Sequence, residues 1–134
     1  MSNFKILIFS LAIISLIFVS CKKDPGEGGL ATINGKVVVY DFDNSFKQLR
    51  AIYEPVGLNV YISYGDIPGV GNSVKTAYNG TFQFAYLRKG KYTIYAESKD
   101  SSNVNSNKTI AIIRQVEITE KKQVIELPVI EVID

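Results

Sequence analysis

From residue 31 onward the apolar residues recur at every second position, and that period limits the fold more than any other feature of the chain. "LNVYISY" (58–64) sets Leu58, Val60, Ile62 and Tyr64 on one face and Asn59, Tyr61 and Ser63 on the other, as a strand with one buried side requires. "TFQFAYL" (81–87) alternates Phe82 and Phe84 with Thr81 and Gln83 before the pattern breaks. "KYTIYAES" (91–98) sends Tyr92, Ile94 and Ala96 inward and leaves Tyr95 on the solvent side with Tyr61. The same reading predicts strands over 32–41, 73–78, 108–119 and 123–132, seven in all, with almost no helical period.

Turn chemistry divides these strands. Asn79-Gly80 is a strong hairpin signal, because a type I′ turn requires positive φ at both central residues. Gly90 permits a second tight reversal and "TEKKQ" (119–123) a third. Pro128 falls inside the last predicted strand, so that strand is expected to bend or to lie at a sheet edge, where a missing N–H costs nothing. The expected fold is all-β: a seven-stranded antiparallel Greek-key β-sandwich.

"INGKVVV", "GLNVYIS" and "TAYNGTFQFAYLRKGKYTIYAES" together resemble the carboxypeptidase regulatory-like and prealbumin-like (transthyretin-like) domains over roughly residues 32–130. The spacing of Gly80, Phe82, Phe84, Leu87, Gly90 and Tyr92 carries the resemblance. It implies an accessory, spacer or binding module of an exported protein. The segment 41–56, "DFDNSFKQLRAIYEPV", is longer than the family's usual connection and is expected either to fold over a sheet edge or to act as a binding loop.

Ahead of the domain, residues 6–19 are apolar apart from two serines and follow a head carrying Lys5, the order of a secretory signal. Fourteen residues are too few to cross a bilayer, which needs roughly 20. "FVSC", ending at Cys21, resembles the lipobox of bacterial lipoproteins, whose cysteine sulfur takes diacylglycerol and, with further acylation such as palmitate, anchors the mature chain. A thiol is the best nucleophile available for that transfer. The expected division is a signal peptide over 1–20, a lipidated Cys21 with a flexible spacer over 21–30, and the sandwich over 31–134. Lys22 after the cysteine is not the aspartate of inner-membrane retention, so the resemblance implies the outer membrane, on either face.

Composition removes most chemistry. The chain has no histidine and one cysteine, so the usual general base and any internal disulfide are absent. A net charge of +2, or +1 once Lys5 leaves with the leader, is too small to draw nucleic acid. The domain is therefore expected to be non-enzymatic and without a cofactor, its partners being the membrane through the anchor and a glycan or envelope protein. Two weak sites are named. Asp41, Asp43 and Asn44 in "YDFDN" carry oxygen ligands of the kind Ca²⁺ takes, although Asx turns at a strand end are the favoured account of them. Tyr61 and Tyr95 offer flat faces with hydroxyls to a sugar or a protein, although cross-strand packing accounts for them equally. A structural spacer or adhesion subunit with no small ligand is the alternative to a binding or assembly module.

Overall fold

The computed structural model describes residues 23–105 and 107–134, and every regular element among them is a strand. The strands are β1 (Glu27–Phe42), β2 (Leu49–Tyr53), β3 (Asn59–Tyr64), β4 (Asn72–Lys75), β5 (Thr81–Leu87), β6 (Gly90–Lys99), β7 (Thr109–Ile118), β8 (Val124–Glu126) and β9 (Ile130–Ile133). Cys21 and the leader lie outside the described residues.

Two sheets form. One is built around β1, whose 16 residues are flanked by β5 and then β2, and on its other side by β8 and then β9. The other runs β4-β3-β6-β7, antiparallel throughout. The alternating residues face each other between the sheets. Ile33, Val37 and Val39 of β1, Phe82 and Phe84 of β5 and Ile130 and Val132 of β9 meet Val60, Ile62, Tyr92, Ile94 and Ala96 in one core. The inward parities expected for β3, β5 and β6 hold. Gly35 lets this core close, because a β-carbon there would run into the Phe82 ring.

Three expectations are corrected. Among the described residues there are nine strands rather than seven: the long 41–56 segment contains β2, and the last predicted strand divides around Pro128, which has no N–H for the ladder. Pairing is not wholly antiparallel, since β8 and β9 run parallel to β1. The chain leaves β7 at the end where β1 begins, so it can only ascend beside β1. Nor do the short turns make hairpins. The turns at Asn79-Gly80, at Arg88-Lys89 and at 119–123 each carry the chain from one sheet to the other. At the first, Gly80 has φ 73° while Asn79 stays out of the positive region, and its side chain accepts from Thr81 N–H and Oγ. Type I′ geometry is thus absent. The hairpins use the longer loops, 43–48, 65–71 and 100–108.

The pattern break in β5 is a bulge. Ala31 pairs with Leu87 but Ile33 with Phe84, so β5 has one residue too many; Tyr86 takes φ 58° and points to solvent while Phe84 and Leu87 both reach the core.

Residues 27–30, expected in the spacer, belong to β1, and the lead-in before them is fastened to the domain. The Tyr92 hydroxyl accepts Gly26 N–H at 2.9 Å and donates to Arg88 carbonyl oxygen at 2.6 Å. Arg88 N–H donates to Gly26 carbonyl oxygen, and its guanidinium to the carbonyls of Glu27 and Asp24. The sandwich therefore has two distinct ends. At the proximal pole are the lead-in, the 65–71 loop and the 88–89 and 119–123 turns, gathered by the pairings Tyr64 with Tyr92, Gly90 with Ile118 and Thr32 with Val124. At the distal pole β1, β6 and β9 end and β3 and β7 begin.

Replacing Tyr92 by phenylalanine leaves Gly26 N–H buried without its partner. The expected loss is about 1–3 kcal/mol of unfolding free energy, read as a lower urea midpoint; an unchanged midpoint would show the hydroxyl to be dispensable. Burial raises the Tyr92 phenol above its ordinary value near 10, against the lowering effect of its backbone bonds and the Arg88 charge. A raised folded value means the contribution is complete below about pH 10 and lost as pH climbs through the folded value. Urea midpoints measured from pH 8 upward are expected to fall above pH 10, less steeply in the Tyr92→Phe protein.

Candidate functional site

The distal pole holds a cleft of about 360 Å³. Val39, Leu58 and Val132 give it apolar walls, and Tyr53, Asn59, Tyr61, Glu97, Lys99 and Asp134 give it aromatic and polar ones. Each arrives by strand register. Tyr53 is opposite Val39 at the end of β2, the return strand of the β1–β2 hairpin. Asn59 and Tyr61 alternate along β3, and Glu97 and Lys99 along the end of β6, paired with Ala111 and Thr109. Burial, followed by the charges of Asp134 and Asp41, holds the Tyr53 phenol above its usual range, with Lys99 acting in the opposite direction. Lys99 Nζ lies 2.8 Å from Asp134 Oδ1 with both side chains more than half exposed. Such a pair orients groups more than it stabilises the fold.

Tyr61 and Tyr95 are brought together. They are direct cross-strand partners on β3 and β6, stacked with centroids 5.1 Å apart and rings inclined by 23°. Ile113 of β7 extends the row beyond Tyr95 and is 51 % exposed. Ser63, Thr93 and Gln115 lie across the sheet two residues away on the same face, giving a half-buried aromatic strip with polar borders. Tyr64 and Tyr92 form the corresponding inward pair, edge to face at 5.9 Å.

Asp41, Asp43 and Asn44 follow one another at the end of β1 but serve different purposes. Asp41 pairs with Ala51 in the β1–β2 ladder. The Asp43 carboxylate accepts Ser45 Oγ at 2.7 Å, Lys47 N–H at 2.9 Å and Gln48 N–H at 3.2 Å, and these bonds, the Ser45 one foremost, hold its carboxyl below the usual range. Its oxygens thus organise the hairpin loop, while Asn44 is exposed. Among the described residues no group of three His, Cys, Asp or Glu side chains is placed to hold a metal ion.

The cleft joins aromatic faces to an amide, two carboxylates and an ammonium within one cavity. That combination suits a ligand with apolar ring faces and many hydroxyls, or an extended peptide. Sequence reasoning identified Tyr61 and placed Tyr53 in a segment expected either to cover a sheet edge or to bind, but missed Asn59, Glu97, Lys99 and Asp134. The only signal was the length of the 41–56 segment, which is the hairpin that delivers Tyr53.

If the tyrosine stack supports the sheet, Tyr61→Ala and Tyr95→Ala are coupled. A double-mutant cycle on urea unfolding is expected to give an interaction of about 0.5–1.5 kcal/mol; additive effects would mean the rings merely lie side by side.

No family model matches this chain, and no curated protein matches it. Among solved structures it is similar to a proposed carbohydrate binding protein of Pseudomonas aeruginosa, at 17 % identity over 81 % of this chain and 91 % of that one, with a TM-score of 0.47. At that level of similarity no residue of the cleft is carried across.

Proposed function

We propose that this is a non-enzymatic outer-membrane lipoprotein: diacylglycerol on Cys21 holds it at the bilayer, and a prealbumin-like Greek-key sandwich presents its distal cleft to an envelope or environmental glycan. The observation that carries this reading is the opposite placement of tether and cleft. Asp24 and Pro25, three and four residues after Cys21, are fastened at the proximal pole, and the cleft opens where β1 ends. At about 3.3 Å per residue, the ten-residue β6, which runs from the proximal pole to the cleft residue Lys99, separates the two by on the order of 30 Å.

Two or three acyl chains, at about 0.8 kcal/mol per buried methylene, hold such a domain firmly. The cleft's mixture of tyrosine faces and hydrogen-bonding groups is the chemistry of sugar recognition. With no histidine anywhere in the sequence, a display role fits the residues better than catalysis.

A second reading, a structural or adhesion subunit assembling through strand pairing, is favoured by β7. This ten-residue strand ends its sheet and has no partner on its outer edge among the described residues. Arg114 opposes that reading: it turns inward from this edge to donate to Val129 carbonyl oxygen at 2.8 Å, and inward charges of this kind discourage edge pairing.

Membrane fractionation is expected to find the wild-type protein wholly in the membrane and a Cys21→Ser protein released. Retention of the variant would remove the tether. The full-length lipoprotein in detergent, applied to a glycan array, is expected to bind a subset of polysaccharides, with Tyr53→Ala or Glu97→Gln weakening binding at least about tenfold, the scale of one or two lost polar or stacking contacts. No retained glycan, together with concentration-dependent self-association in sedimentation, would leave the strand-pairing reading in its place.

A further inference from the structure

The proximal pole carries a feature that tethering alone does not require. The 65–71 loop, "GDIPGVG", exposes Ile67 at 61 % and Val70 at 52 %, with Pro68 between them. Beneath it lies a cavity of about 530 Å³ lined by Asp24, Pro25, Tyr64, Ile67, Pro68 and Lys91 among others. The lead-in is wedged into this end: the Pro25 ring sits against Gly65 and Gly90, where φ is 55° and 141°, so closely that a β-carbon at Gly90 would collide with it and one at Gly65 would crowd it. The apolar loop and the path toward Cys21 are thus parts of one packed unit.

Distance decides what faces this loop. Asp24 is the third residue after Cys21, and a chain reaches at most about 3.6 Å per residue. If Cys21 bears lipid, a reading on which this inference rests, the fastened lead-in holds the loop within about 10–15 Å of the acylated sulfur, at the level of the headgroups. Exposed lysines surround it, Lys23 on the lead-in, Lys89 on the next turn and Lys121 and Lys122 on the one beyond. Arg88 and Lys91 join these lysines, and Asp24, Glu27, Asp66, Glu117 and Glu120 lie at the same end, so its net charge stays small. Attraction to anionic lipid is accordingly weak, and apolar contact favoured by the tether's high local concentration is what remains.

We propose that the 65–71 loop is a membrane-docking foot: Ile67, Pro68 and Val70 insert at the phospholipid interface beside the Cys21 lipid, with the surrounding lysines at phosphate level, and the sandwich stands with its distal cleft facing away from the bilayer. The partner is the phospholipid surface itself. Docking does not depend on anionic headgroups.

The test uses the full-length lipidated protein reconstituted in phosphatidylcholine vesicles, with a single cysteine introduced at Val70 or, as a control, at Ser102 in the distal 100–108 loop, each labelled with an environment-sensitive fluorophore. The Val70→Cys label is expected to shift to the blue and to be quenched several-fold more by shallow nitroxide lipids than the Ser102→Cys label, equally with and without anionic lipid. Ile67→Asp in the Val70→Cys background is expected to lose the quenching while remaining in the membrane fraction. Mass spectrometry of the Cys21 peptide accompanies each sample. Lipidated protein with both labels in water overturns the foot and leaves the tether standing; quenching that appears only with anionic lipid overturns the apolar mode of docking; an unmodified Cys21 overturns the tether and the foot with it.

Discussion

The Tyr92 hydroxyl is the point on which the proximal half of the structure depends. One oxygen accepts from Gly26 and donates to Arg88, so a single buried group joins the lead-in to the turn that takes the chain from β5 into β6. A buried polar atom is tolerated only when it is satisfied, and among the described residues no buried side-chain nitrogen or oxygen lacks a partner. Arg88 reinforces the same junction through the carbonyls of Glu27 and Asp24. Its guanidinium is thereby committed to backbone rather than to a ligand. The consequence is a β1 that starts at Glu27 and a lead-in with a fixed direction.

Direction matters because the connections sort by length. The short turns at 76–80, 88–89 and 119–123 pass between sheets, and the longer loops close hairpins within them. A two-residue turn can join strands of facing sheets when a residue near it fills the corner, and Tyr92 does this for the second crossing. Buried Thr76 does it for the first: its hydroxyl donates to Pro55 carbonyl oxygen at 2.7 Å and accepts Leu58 N–H at 3.0 Å. The 43–48 and 100–108 loops then lie around the distal pole and the 65–71 loop at the proximal one. The proposed roles follow this division, contact with lipid at one end and with a solution partner at the other.

The candidate sites were legible to different depths. Strand parity placed Tyr61 and Tyr95 each on the solvent side of its own strand but said nothing of their being opposite one another, because pairing register is set by which strands become neighbours. "YDFDN" showed three oxygen-bearing side chains in a row; only the folded loop shows Asp43 occupied by Ser45, Lys47 and Gln48. Of the cleft, only Tyr61 and the long segment that delivers Tyr53 were legible. Tyr53, Asn59, Glu97 and Asp134 lie on four separate strands or strand ends, and no local spacing links them.

Residue order by itself determined the strand class, the inward positions of β3, β5 and β6, the break at Pro128 and the identity of the one cysteine behind an apolar leader, because each follows from side-chain period, ring chemistry or hydropathy within a few residues. Tertiary structure alone decided that Asn79-Gly80 crosses between sheets, that β8 and β9 climb parallel to β1, and that cleft and lead-in occupy opposite ends. Those outcomes depend on which distant segments share a core, and burial between two sheets is a property of pairs of strands that no single strand encodes.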